Sequence, residues 1–88
     1  MFVVRLSNKA EKQFKQLEDK LHTKIIELFK TLENNPVPKE QYDLLKVGGE
    51  PDTYRIRLSS HRTVYRIFWQ EKVIRIAKIE RRTETTYK

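Results

Sequence analysis

The sequence predicts an α+β fold: one strand, a two-helix hairpin and an antiparallel meander of four strands, with both helices on one face of the sheet. Three observations predict it. Apolar residues recur at spacings of three and four from Ala10 to Leu32, the mark of helices with one buried stripe. From Thr53 onward the period becomes two, with Tyr54, Ile56 and Leu58 on one side of a strand and Arg55 and Arg57 on the other. Between these regimes lie a proline connector and the turn cluster Gly48-Gly49-Glu50-Pro51-Asp52. A helix stripe and an apolar sheet face each need a cover, and packing one on the other is the simplest solution.

Element by element, Phe2 to Leu6 is a short β-prone run and reads as the first strand. Asn8 then stands as a helix cap, with Glu11 three residues later in the capping-box position. Ala10, Phe14, Leu17 and Leu21 form the first helical stripe, and Glu18-Asp19-Lys20 breaks it into a hairpin. A second helix buries Leu21, Ile25, Leu28, Phe29 and Leu32, and Asn34-Asn35-Pro36 ends it because proline excludes the helical conformation from its predecessor. After the Val37–Gln41 connector, strands are expected over Tyr42–Val47, Thr53–Leu58, Thr63–Trp69 and from Lys72 or Val73 to Ile79, with Ser59-Ser60-His61 as a hairpin loop. Tyr65, Ile67 and Trp69 are the side chains expected beneath the helices.

No linker, repeat or low-complexity stretch divides the 88 residues, so residues 1–88 form a single domain. A domain of this size buries only about 60–65% of its unfolded surface, which favours a stabilising partner. The absence of cysteine excludes a disulfide framework and thiolate metal sites, and fits a reducing, cytoplasmic setting. No apolar run approaches the roughly 18 residues of a membrane span, and Met1-Phe2-Val3-Val4 is too short for a signal segment.

The formal charge of +7 is unevenly spread. All but one of the eight arginines fall between Arg55 and Arg82, whereas the first half takes its positive charge almost entirely from lysine. A guanidinium is a rigid fork that matches phosphate oxygens two at a time; an ammonium is a flexible point charge. Arg55 and Arg57 on one strand, and Arg62 and Arg66 on the next, project to one side and can converge on a patch. They cannot all enter a small core, because unpaired buried charge is too costly. The patch therefore suits a polyanion, above all nucleic acid.

The remaining chemistry is sparse. No metal-ligand cluster, phosphate-binding glycine loop or Ser-His-Asp arrangement is present, so no metal or cofactor is expected. Cleaving RNA needs positive charge on the phosphorane-like transition state, which preorganised arginines supply, and a base for the 2′-hydroxyl. His22 reads as a helix surface residue. His61, beside Arg62, has either a binding role or a plain loop role. Tyr87 titrates ordinarily near about 10 and becomes a base only if cations lower that value. The tail Arg81-Arg82-Thr83-Glu84-Thr85-Thr86-Tyr87-Lys88 thus reads either as a frayed terminus or as the carrier of that base.

The runs Lys46-Val47-Gly48, Tyr54-Arg55-Ile56-Arg57, His61-Arg62-Thr63-Val64-Tyr65 and Val73-Ile74-Arg75-Ile76 resemble the RelE branch of the RelE/ParE toxin superfamily. The likeness covers nearly the whole chain, and Pro36-Val37-Pro38 is similar to the connector of archaeal RelE toxins. It implies the toxin of a type II toxin–antitoxin system: a metal-independent, ribosome-dependent mRNA endonuclease that inhibits translation by cutting in the A site. Carried over residue by residue, it makes Arg62, Arg81 and Tyr87 catalytic, with Arg82 as the alternative tail arginine. Arg55, Arg57, Arg66, Arg82 and His61 become RNA-binding residues. The implied partners are a RelB-like antitoxin, the ribosome and mRNA, with no membrane, and the toxin–antitoxin complex becomes a candidate for binding operator DNA. Two residues depart from the family pattern, Ser59 at a usual glycine and His61 at a usual tyrosine. A ParE-like gyrase poison shares the fold but generally lacks the arginine set and tail tyrosine, and a non-catalytic RNA-binding module would use the same surface.

Overall fold

The computed structural model describes residues 1–82. The chain forms β1 (Val3–Leu6), α1 (Asn8–Lys15), α2 (Asp19–Asn34), β2 (Asp43–Lys46), β3 (Thr53–Leu58), β4 (His61–Phe68) and β5 (Val73–Arg81). One five-stranded sheet has the order β1-β5-β4-β3-β2. The last four strands are the expected antiparallel meander, and β1 closes the far edge by pairing parallel with β5, Arg5 opposite Arg75. The helical hairpin carries the chain from one edge of the sheet to the other.

The cap of α1 is Ser7, not Asn8. Its hydroxyl accepts from the Ala10 N–H at 3.0 Å, one of the helix-start donors without an intrahelical partner. The chain breaks over Gln16–Glu18, and α2 then buries Leu21, Ile25, Leu28 and Leu32 on one stripe. Beyond α2, the Tyr65 hydroxyl donates to the Pro36 carbonyl at 2.7 Å and pins the proline connector beneath the sheet. Burial, and secondarily the Tyr54 hydroxyl, drive the Tyr65 pKa well above its ordinary value, so it acts as a neutral donor.

Ile56, Tyr65, Ile67, Ile74, Ile76 and Ile79 form the sheet side of the core against these helices. Trp69 departs from the expectation that it packs there. Strand β4 ends at Phe68, and Trp69 turns out at 47% exposure, edge-on to Phe2 at 5.6 Å.

In a regular strand Ile76 and Ile79 would face opposite ways, yet both are buried. A bulge resolves this: Val64 pairs with Lys78 but Tyr65 pairs with Ile76, leaving Ala77 as the extra residue. Two side chains from the α1 region secure it. The Ser7 hydroxyl donates to the Ala77 carbonyl at 2.7 Å, and the Gln13 side-chain oxygen accepts from the Ile79 N–H at 2.7 Å. The bulge resets the alternation, so β5 continues to Arg81, two residues beyond the predicted end, with Arg62 opposite Glu80 and His61 opposite Arg81.

Candidate nucleic-acid interface

The helices cover one face of the sheet and leave the other open. Residues paired in register share a face, so the open face can be read row by row across the strands. The first row is Asp43–Arg57–Arg62–Glu80, the second Leu45–Arg55–Val64–Lys78 and the third Thr53–Arg66–Arg75–Arg5. The fourth is Phe68–Val73–Val3. Between them lies a groove of about 490 Å³ lined by Arg55, Arg62, Arg66, Phe68, Arg75 and Lys78 among others.

Arg55 and Arg62 are half-buried, and the Nε of each is buried with no hydrogen-bond partner among the described residues. A buried donor left without an acceptor costs about 1–3 kcal/mol, so two in one groove call for an acceptor that the described residues do not supply. Arg57 stands at the rim, 3.6 Å from the Asp43 carboxylate, and outside the groove lining. Lys78 is 3.4 Å from Glu80, which offsets one groove acid. Arg66 lies 5.0 Å from the centre of the Phe68 ring, in cation–π range.

The two described tail arginines diverge. Just past β5, the Arg82 backbone N–H donates to the Ser60 carbonyl at 2.7 Å and its guanidinium to the Ser59 carbonyl at 3.1 Å. Ser59 has φ of +56°, a conformation that glycine adopts more readily, and this accounts for the residue type usual there. Arg81 instead shares the helix side with His61, lining a separate cleft of about 330 Å³ with Gln16, Glu18 and Ser60. The structure therefore gathers Arg55, Arg62 and Arg66 into one groove, holds Arg82 against the Ser59–Ser60 loop outside the groove lining, and leaves His61 and Arg81 behind the sheet. Tyr87 lies outside the described residues.

Arg5, Phe68 and Lys78 escaped the sequence reading as groove-side residues. The alternation Val4–Arg5–Leu6 held the signal for Arg5, once β1 is known to join the sheet. Lys78 had none, because only the bulge turns it outward. Among the described residues no three His, Asp or Glu side chains gather where a metal ion could sit.

Comparison with known proteins matches this picture. A family model described as the ParE toxin of the type II toxin–antitoxin system parDE matches residues 4–85. The chain is 37% identical over 87 residues to a Methanocaldococcus jannaschii protein named Putative toxin RelE1, covering 99% of this chain and 96% of that one. A chain in the crystal structure of the archaeal RelE–RelB complex from Pyrococcus horikoshii OT3 superposes with a TM-score of 0.86 at 31% identity, covering 96% of this chain and 98% of that one. A chain of the intact E. coli RelBE complex superposes at 0.80 with 20% identity, covering 97% and 100%, a likeness of fold.

Proposed function

The chain belongs to the ParE-type toxin family of type II toxin–antitoxin systems, in its RelE branch, and from that premise we propose that it is a ribosome-dependent endoribonuclease cutting mRNA in the A site. The observation that carries the reading is the pair of buried, unpartnered guanidinium nitrogens of Arg55 and Arg62 in an open groove. A phosphodiester supplies the acceptor oxygens they lack. In the reaction the 2′-oxygen attacks the adjacent phosphorus, its proton passes to a base, and the departing 5′-oxygen takes up a proton. The product ends are a cyclic phosphate and a 5′-hydroxyl.

Arg62 holds the scissile phosphate and meets the charge that grows on its oxygens, with Arg55 beside it. Fixed cations in a groove stabilise that charge without reorganising. Arg82 takes the role of the tail arginine in preference to Arg81, because Arg81 lines the separate cleft on the helix side. Tyr87 takes the role of the base on the family resemblance, and acts as one only if cations lower its pKa. Arg57 and Arg66 contact flanking RNA. The partner is a RelB-like antitoxin whose acidic segment neutralises the groove and orders as it binds. The site of action is the translating ribosome, and hence the cytoplasm. Retention of Arg55, Arg57 and Arg62 favours this reading over a gyrase poison.

Primer extension on a defined mRNA in a translating extract tests it, with wild type beside Arg62→Ala and Tyr87→Phe. Cuts confined to ribosome-occupied codons are expected, reduced about 10²–10³-fold by Arg62→Ala, the usual effect of removing one transition-state donor. Tyr87→Phe is expected to abolish turnover while sparing binding. An uncut message would overturn the reading and make DNA supercoiling the next assay.

A further inference from the structure

The RNA reading uses the first two rows of the open face and, from the third, Arg66 alone; it leaves Arg5 and Arg75 unexplained. Arg5, Arg75 and Arg66 stand directly opposite one another on three adjacent strands. Like charges so placed weaken a sheet. Among the described residues the ion pairs engage Lys15, Arg57 and Lys78, and none of these three arginines lies within salt-bridge distance of an acid. Arg5 and Arg75 are exposed, so a neutral side chain would remove the repulsion at no cost in packing. Three arginines in register on one face, two of them lining the groove and Arg5 on the strand beside it, make sense around an anion.

The neighbouring row sharpens the identity of that anion. Phe68 lies beside Arg66 on the same face, lines the groove and continues into Val73 and Val3. The Arg66 row is four residues along β4 from the Arg62 row, about 13 Å at the rise of an extended strand. Two steps between successive phosphates of an extended single strand cover a similar distance. An aromatic face beyond a phosphate-sized cation cluster is the arrangement that receives a splayed base. An acidic peptide would use the cations but has no need of this spacing.

We propose that Arg5, Arg75 and Arg66 form a second phosphate subsite, two nucleotides from the phosphate held by Arg62, and that Phe68 stacks the base beside it. The groove then takes a three-nucleotide stretch of single-stranded RNA, anchored at both ends. This rests on the RNA reading of the groove. The subsite supplies affinity and register, not sequence preference, because phosphate contacts and stacking are largely sequence-tolerant.

The test is fluorescence anisotropy of a labelled single-stranded RNA nonamer across a salt series, with the full chain, Arg5→Gln/Arg75→Gln and Phe68→Leu. The double variant is expected to bind at least about tenfold more weakly, with its log–log salt slope shallower by about one to two. Phe68→Leu is expected to weaken binding about tenfold with the slope unchanged. The double variant should melt no lower than wild type, since it relieves repulsion. Unchanged affinity and slope in the double variant would overturn the proposal. So would an unchanged RNA affinity with lost binding of a glutamate-rich peptide, which would assign the row to a protein partner. If RNA binding depends on Arg5 and Arg75 while the wild type leaves ribosome-bound mRNA uncut, the nuclease reading fails and the subsite stands.

Discussion

At the scale of single residues, position on the sheet decides what a charged side chain can do, and His61 makes the case. It stands beside Arg62 in sequence but on the opposite face, opposite Arg81 and above Glu18. Desolvation, and then the Arg81 charge, hold its pKa below the usual 6.5, with Glu18 pulling the other way. The unfolded chain therefore takes up this proton more readily than the folded one. The stability contributed by keeping His61 neutral is complete above the ordinary value and is lost as pH falls below it through the folded value. Melting temperature is accordingly expected to fall between about pH 7.5 and about 5.5, and less steeply for His61→Gln. Equal pH profiles for the two proteins would show that the cleft leaves His61 unperturbed. Tyr65 and Trp69 mark how far the sequence was readable at this scale. Both obey the same alternation, but only Tyr65 lies inside a strand, and the strand end is set by the turn that follows.

At the scale of elements, the bulge in β5 links the helical layer to the groove. The predicted strands and helices match the observed ones because their periods are long enough to stand out. Two features were illegible for a common reason: both depend on distant partners. The parallel pairing of β1 needs the register with Val73–Ile76, and the bulge needs Ser7 and Gln13 to satisfy its carbonyl and N–H. The three-residue gap between Ile76 and Ile79 was its only trace in the sequence. Groove composition follows from it, since the reset alternation turns Lys78 and Glu80 to the open side. Gln13→Ala leaves the Ile79 N–H without its acceptor and is expected to cost about 1–3 kcal/mol in urea unfolding. Gln13→Glu keeps an acceptor oxygen and should recover most of that loss. Identical losses in the two variants would mean that Gln13 contributes only packing.

At the scale of the whole molecule, a net charge of +7 and a sheet that the described residues cover on one face alone invite an anionic partner. The arginine-rich half was visible in the sequence as a polyanion surface by composition, but the register of Arg5 at one edge with Arg66 and Arg75 was not, since it crosses nearly the full chain length. The repulsion stored on the open face is relieved by any acidic occupant, so RNA and an acidic antitoxin segment should exclude each other. A partner that binds only the folded chain stabilises it by mass action, about 2.7 kcal/mol at a hundredfold excess over Kd. For a domain of this size each kcal/mol moves the melting temperature by about 4–8 °C. Saturating antitoxin is therefore expected to raise it by about 10–20 °C, and an antitoxin with its acidic residues made amides should give much less. High salt should narrow the difference between the two, because exposed charge pairs are screened. If the amide variant stabilised the toxin as well as the native antitoxin did, the partner would be held by apolar contacts elsewhere, and the groove would remain open to RNA in the complex.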